Sequence, residues 1–297
     1  MNVLEISGLE KRFGEKQVLR GVDLEVPEKK VFGFVGRNGA GKTTTMKITL
    51  GLLAADTGTV MVCGEKVSYG NAATNRFIGY LPDVPEFYSF MTPTEYLKFC
   101  GEIAGMEGKA ITDRAGEMLR LVGLGDEKRR IKGFSRGMKQ RLGIAQALMG
   151  KPRLLICDEP TSALDPLGRK EILDVLVAAK NETTILFSTH ILSDVEHICD
   201  EMALVNDGRI VLRGSIEDIR KRRGGNSFVI ELEKPADFAG FPQGFDIKEV
   251  SPGRLILNKP ECVPDVLRFM ADKEIAFYKL EKQEPTLEDI FLETIGK

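Results

Sequence analysis

The stretch that most restricts this chain is GRNGAGKT, Gly36 to Thr43, set between the compact apolar run KKVFGFVG and the segment TTTMKITLGLLA. Its spacing is G-x-x-x-x-G-K-[ST], a loop that binds phosphate when a buried strand leads into it and a helix leads out. Both flanks fit: VFGFV reads as a buried strand, and Met46, Ile48 and Leu50 fall near one another in a helical pattern with Gly51 as a stop signal. Gly36, Gly39 and Gly41 let the backbone, through Arg37, Asn38 and Ala40, wrap an anion so that successive amides and the helix N-terminus point at negative charge. Lys42 offers a cation to outer phosphates, the Thr43 hydroxyl a ligand to Mg²⁺, and Thr44 a donor to an inner phosphate. The alternative is a glycine turn that only caps a helix, and the Lys-Thr pair between these flanks argues against it.

A phosphate loop alone leaves kinases, GTPases and many ATPases open. In LLICDEP, four apolar residues lead to Asp158 at a strand end, where open α/β sheets bind ligands, and Asp158 suits the Mg²⁺ shell. Glu159, expected to point the other way on an extended backbone, is placed to polarise an attacking water. His190, in FSTHIL at the end of another apolar strand, is placed to donate a hydrogen bond to phosphate or water. A structural role is the commoner one for a lone histidine, and the second, His197 in SDVEHICDE, reads as a packing or surface residue.

Around these motifs the pattern is that of an α/β protein. Alternation in VLEISGLEKRF and VLRGVDLEV predicts an antiparallel β region, and residues from about 85 to 150 read as a helical insertion. RLLICDEP, TTILFST and MALVNDGRIVLRG supply strands, separated by the helical PLGRKEILDVLVAAK and ILSDVEHICDE, the alternation of a parallel sheet with crossovers. The glycine pair in IRKRRGGNS suggests a linker near Gly224, giving a domain over 1–223 and a small α+β domain over 224–297 with strands SFVIELE, GRLILN and IAFYKLE and helices PDVLRFMADK and TLEDIFLETIG. At 297 residues the chain is long enough for one large unit and a smaller one.

Composition closes other routes. A formal net charge of -2 argues against a dedicated nucleic-acid binder. No apolar run is long enough to span a bilayer, and MNVLEISGLEKRFG lacks the apolar core of a signal peptide, so the chain is expected in the cytosol. Cys63, Cys100, Cys157, Cys199 and Cys262 show no C-x-x-C spacing and read as reduced packing residues rather than a zinc site.

In order and spacing, these motifs resemble the nucleotide-binding subunit of ABC transporters over roughly residues 2 to 220. GRNGAGKT looks like the Walker A loop, LLICDE the Walker B strand, SALD with Asp165 the D-loop, and His190 the switch histidine. The resemblance implies a P-loop NTPase core with an antiparallel β subdomain, Mg²⁺-dependent ATP hydrolysis, and an aromatic, Phe13, stacked on adenine; a half-buried strand aromatic is the alternative for Phe13. FSRGMKQR, Phe134 to Arg141, falls where the family has Leu-Ser-Gly-Gly-Gln: Ser135 and Gly137 are kept, and Phe134, Arg136 and Met138 are departures. A hydroxyl and an amide at a helix N-terminus make an anion site, and the resemblance implies that it serves the ATP of a second copy or paralogue. Arg136, Lys139 and Arg141 are expected to face solvent or pack along the following helix.

Where the family usually has glutamine after the strand IGYLP, this chain has Asp83, which can accept from Mg²⁺-bound water but cannot donate as an amide does. The acidic residue, the S-[KR]-G-M-[KR]-Q-R signature and the closing EPTLEDIFLETIG resemble exporters whose membrane subunit is a separate chain. The implied protein is peripheral, on the cytoplasmic side of the membrane, with Phe87, Tyr88 and Phe90 as contacts for the permease or as core residues. A soluble ATPase acting on nucleic acid or ribosomes is opposed by the single cassette, the lack of heptads and the absent basic surplus. An importer subunit is opposed by Asp83 and the short extension.

Overall fold

The computed structural model describes residues 1–222, 227–283 and 286–295. The chain separates into two compact units, Met1–Ile216 and Glu217–Lys297. Gly224, expected at the boundary, lies outside the described residues, and the division falls before residue 223, ahead of most of a short helix over Ile216–Arg222.

The first unit opens with the antiparallel pair β1 (Asn2–Phe13) and β2 (Lys16–Pro27), and β4 (Thr57–Val62) and β5 (Glu65–Lys66) extend the sheet in the order β2-β1-β4-β5. Between them, β3 (Val31–Val35) enters a second sheet and runs into the glycine loop and α1 (Lys42–Thr49). That six-stranded sheet has the order β10-β9-β3-β8-β7-β6, with β6 (Ile78–Leu81), β7 (Leu154–Asp158), β8 (Thr184–Thr189), β9 (Glu201–Asn206) and β10 (Arg209–Ser215). Every residue of β3, β7 and β8 is buried, as expected for parallel strands covered on both faces. Crossovers through α5 (Pro166–Ala179) and α6 (Leu192–Ile198) connect β7, β8 and β9.

The expected parallel order needs one correction. MALVNDGRIVLRG is an antiparallel hairpin, because Asp207 (φ 45°) and Gly208 (φ 74°) form the tight turn that Asp-Gly favours. A Cβ on Gly208 would lie 2.3 Å from the Val18 carbonyl oxygen, so no larger residue fits there.

The helical insertion comprises α2 (Pro93–Ile103), α3 (Gly108–Leu121) and α4 (Arg136–Leu148). A capping box between Thr92 and Glu95 starts α2. Arg114 on α3 is buried and donates to the Leu148 carbonyl at 2.8 Å, to Glu182 at 2.8 Å and to Glu117 at 2.9 Å, tying the insertion to the turn before β8. Gly143 lets α4 lie against β6, since a Cβ there would stand 2.5 Å from Leu81 Cδ1.

The second unit takes in all but the first residue of α7 (Ile216–Arg222) and has a four-stranded antiparallel sheet in the order β12-β13-β11-β14: β11 (Ser227–Leu232), β12 (Ile247–Ser251), β13 (Arg254–Leu257) and β14 (Phe277–Gln283). α8 (Val263–Asp272) places Val266 and Met270 against Ile230, Leu232, Leu255 and Leu257, forming a separate core. The last helix, α9 (Leu287–Ile295), begins at Thr286, whose hydroxyl and amide both bond Asp289. Sequence reasoning found three of these strands and missed β12, whose residues are mostly exposed.

Candidate active site

Strand register brings the chemistry to one sheet edge. Val35 on β3 pairs with Thr189 on β8, and Asp158 on β7 pairs with Ser188, so the loops that follow leave the sheet at the same level. Gly36 then donates its amide to the Thr189 carbonyl at 3.2 Å, which seats the glycine loop beside His190. A Cβ on Gly36 would lie 2.5 Å from the Val205 carbonyl oxygen, and Gly41 has φ 109°, a conformation only glycine adopts freely. Helix α1 starts at Gly41 without a side-chain cap, so its first-turn amides are open to an anion.

A cavity of about 460 Å³ lies over this edge. Asn38, Gly39, Gly41, Lys42, Thr43 and Thr44 line it from the loop, facing Asp83, Asp158, Glu159 and His190. Gly36, Arg37 and Ala40 belong to the loop but do not line the cavity. Lys42 is buried, donating to the carbonyls of Gly36 at 2.6 Å and Arg37 at 3.3 Å, with its Nζ also 3.1 Å from Glu159 Oε1.

Asp158 is buried and accepts from Ser188 Oγ at 2.6 Å; the same Oγ accepts from the Glu159 amide at 3.0 Å. The extended backbone expected at Glu159 is corrected here. Strand β7 ends at Asp158, and Glu159 takes φ 49°, so both carboxylates line the same cavity. Glu159 Oε2 lies 2.9 Å from His190 Nδ1, while Oε1 is buried and has no well-directed hydrogen bond despite the nearby lysine.

Asp83 pairs at 3.3 Å with Arg136, which is exposed as expected but also carries this ion pair, and the Asp83 carbonyl accepts from buried Gln140 at 2.6 Å. Burial pushes the Asp83 carboxyl above the usual aspartate range; Arg136 pulls it down, and Asp158 and Glu159 push it up. Burial also drives the Tyr80 hydroxyl up to about 12, helped by the nearby Asp158.

Ser135, Gly137, Asp165 and Phe13 do not line this cavity. Ser135 is the N-cap of α4, its Oγ accepting from the Met138 amide at 3.2 Å, and Asp165 caps α5 by accepting from Gly168 at 3.3 Å. Phe13 stands half-exposed at the end of β1 with Lys11 Nζ 5.5 Å from its ring centroid, while Lys16 and Val18 from the same hairpin reach the cavity. Sequence reasoning missed Lys16, Val18, Ser162 and Ser188; the Ser162 signal lay in PTSALD, between Glu159 and Asp165. Of the three aromatics, Phe87 packs edge-on to Tyr96 at 5.2 Å, and Tyr88 and Phe90 are exposed. Among the described residues, no three His, Cys, Asp or Glu side chains cluster to hold a metal unaided.

The ABC transporter family profile matches residues 19–162, and that of the ATP-binding protein DrrA1-3-like C-terminal domain matches 214–295. The ABC transporter ATP-binding protein YxlF of Bacillus subtilis is 36% identical, with 99% of each chain covered. The bacitracin transport ATP-binding protein BcrA of Enterococcus faecalis is 35% identical over 99% of this chain and 96% of its own. Among solved structures, an ATP-binding subunit of an ABC transporter superposes with a TM-score of 0.66 at 32% identity, covering 75% of this chain and 93% of the other. With the phosphate loop, the paired carboxylates and the α/β core in one arrangement, the chain belongs to the ATP-binding subunits of ABC transporters, ATPases that power transport through a membrane partner.

Proposed function

We propose that this subunit works in an exporter, peripheral to the cytoplasmic face of the membrane, as one of two ATPase copies or paralogues bound to a separate permease. The observation that carries the reading is Glu159 held between Lys42 and His190, its buried Oε1 facing the lysine without a well-directed hydrogen bond. A nucleotide's outer phosphates would draw Lys42 toward themselves, leaving Glu159 Oε1 to accept from the attacking water. His190 steadies the other oxygen and reaches the phosphate or water, and Thr44 donates to an inner phosphate. Phe13 stacks on adenine.

The donors around the loop, Thr43, Asp158 and Asp83, are oxygens and fit Mg²⁺, with nucleotide phosphates completing the shell. When bound there, Mg²⁺ supplies neutralisation of charge on the β- and γ-phosphate oxygens. Ser135 and Gly137, outside this cavity at the N-terminus of the 13-residue α4, serve the nucleotide of the second copy, and Asp165 lies at that junction. Tyr88 and Phe90 offer an exposed apolar contact to the permease, and among the described residues no helix is long and apolar enough to cross a membrane. The chain's net charge of -2 gives no basis for a nucleic-acid partner. A role in transport is supported by the relative named for bacitracin transport.

Light scattering on the Glu159→Gln variant with and without ATP tests the paired arrangement. ATP is expected to double the mass, and adding Ser135→Arg to leave it monomeric; a monomer with ATP in the first variant contradicts the pairing.

A further inference from the structure

The segment joining β7 to α5 carries backbone strain. Glu159 (φ 49°) and Ala163 (φ 52°) both occupy the left-handed region, which non-glycine residues hold only where surroundings over-determine the backbone. The strongest such restraint lies on neither β7 nor α5. Asp194, four residues past His190 in the first turn of α6, is 1% exposed, and its two oxygens serve different elements. Oδ2 accepts from the buried Thr161 hydroxyl at 2.7 Å, and Oδ1 accepts from Arg169 Nε. Arg169 also donates from Nη2 to Ser193 Oγ at 2.6 Å.

Thr161 is two residues past Glu159 and adjoins Ser162, which lines the cavity; Arg169 is in the first helical turn after Asp165. One buried carboxylate therefore ties the strained segment, through Thr161, and the first turn of α5, through Arg169, to the stretch that carries His190. Nearer the sheet, the Glu159 amide is held by Ser188, but the contact between the Glu159 and His190 side chains lies at the rim, with the imidazole 42% exposed. An exposed hydrogen bond is a weak constraint on relative position. The buried brace beneath it is the stronger one, because a desolvated carboxylate left with one partner missing is costly.

We propose that Asp194 is a positioning residue for hydrolysis: by clamping Thr161 and Arg169 it fixes Glu159 at the distance and angle from His190 that water attack requires. This rests on the reading of Glu159 as the water-polarising group. Asp194 touches no reacting atom, and its effect passes through Thr161 and Arg169. An asparagine in its place would present an NH₂ group to one of two donors, so the brace cannot survive the exchange intact.

The test measures kcat with Mg²⁺-ATP, affinity for trinitrophenyl-ATP and thermal midpoint on full-length protein carrying Asp194→Asn, Thr161→Val or Thr161→Ser. Asp194→Asn and Thr161→Val are expected to lower kcat by roughly 10- to 100-fold, the cost of a small misplacement near the reacting atoms, with nucleotide affinity held within about twofold. Thr161→Ser keeps the hydroxyl and is expected to recover most of the rate. The double variant Asp194→Asn/Thr161→Val is expected to be no slower than the worse single, since groups acting as a unit are not additive. Unchanged kcat, parallel losses of kcat and affinity, or equal loss in Thr161→Ser and Thr161→Val overturns the proposal. If Asp194→Asn does not fold, the Thr161 pair decides alone. A Glu159→Gln control separates the two readings: silence there sinks the site assignment, whereas a slow Glu159→Gln beside a normal Thr161→Val sinks only the role of Asp194.

Discussion

Lys42 Nζ lies 3.1 Å from Glu159 Oε1, so the phosphate loop's cation and the carboxylate after β7 meet directly across the cavity. Both groups are withdrawn from solvent, the lysine side chain 6% and the glutamate 14% exposed, and the lysine makes further bonds to the Gly36 and Arg37 carbonyls. The same cation that would hold outer phosphates therefore restrains the carboxylate until nucleotide competes for it.

Replacing Lys42 by alanine removes a charge-assisted donor to phosphate. Such bonds contribute about 1.5–3 kcal/mol, so ATP affinity is expected to fall on the order of 10- to 100-fold. Fluorescence titration with trinitrophenyl-ATP measures this, and wild-type affinity in Lys42→Ala would remove the lysine from phosphate binding.

The pairing of Asp83 with Arg136 leads to a pH expectation. Burial raises the Asp83 pKa and Arg136 lowers it, so Arg136→Gly is expected to move the titration further up, read by carbon-13 carboxyl resonances. Because the folded pKa lies above the unfolded one, Asp83 costs stability as pH rises from the ordinary aspartate value through its own, and the cost is full above that. The pair is exposed on both sides, 43% and 47%, so Arg136→Gly is expected to change turnover only a few-fold, and Ser135→Arg is expected to abolish it. A downward shift at Asp83, or equal losses in the two variants, contradicts this geometry.

Arg114→Met tests the helical insertion apart from the site. It removes three hydrogen bonds from a buried guanidinium, but Glu117 and Glu182 keep access to water, so a loss of about 2–3 kcal/mol is expected with ATP affinity unchanged. Urea unfolding measures it; a stability change below about 0.5 kcal/mol would mean that the network is incidental.

What the sequence made legible was local. The glycine loop could be read because Gly36, Gly41, Lys42 and Thr43 meet their requirements within one strand-loop-helix unit. Asp158 was legible as the polar end of an apolar strand, and the α/β alternation followed from the buried runs VFGFV, LLICD and TILFST. The left-handed turn at Glu159 was not, because strand patterning predicts extended backbone and the turn depends on Ser188 across the sheet. Ser188 and Thr161 carry no distinctive signal in sequence, and only pairing of distant segments shows what they hold. Lys16 and Val18 likewise reach the cavity through the β1–β2 hairpin rather than through any motif. The Asp-Gly turn at 207–208 was a readable hairpin signal, overridden by the expectation of continuing α/β alternation.

In the proposed mechanism Glu159 activates the water while the phosphate loop binds nucleotide without it. Single-turnover cleavage of γ-labelled ATP by Glu159→Gln, alongside nucleotide affinity on the same preparation, tests it most directly. Cleavage is expected to slow by about 100-fold or more, within the range for removing a general base, with ATP still bound near wild-type affinity. Cleavage at the wild-type rate would contradict it.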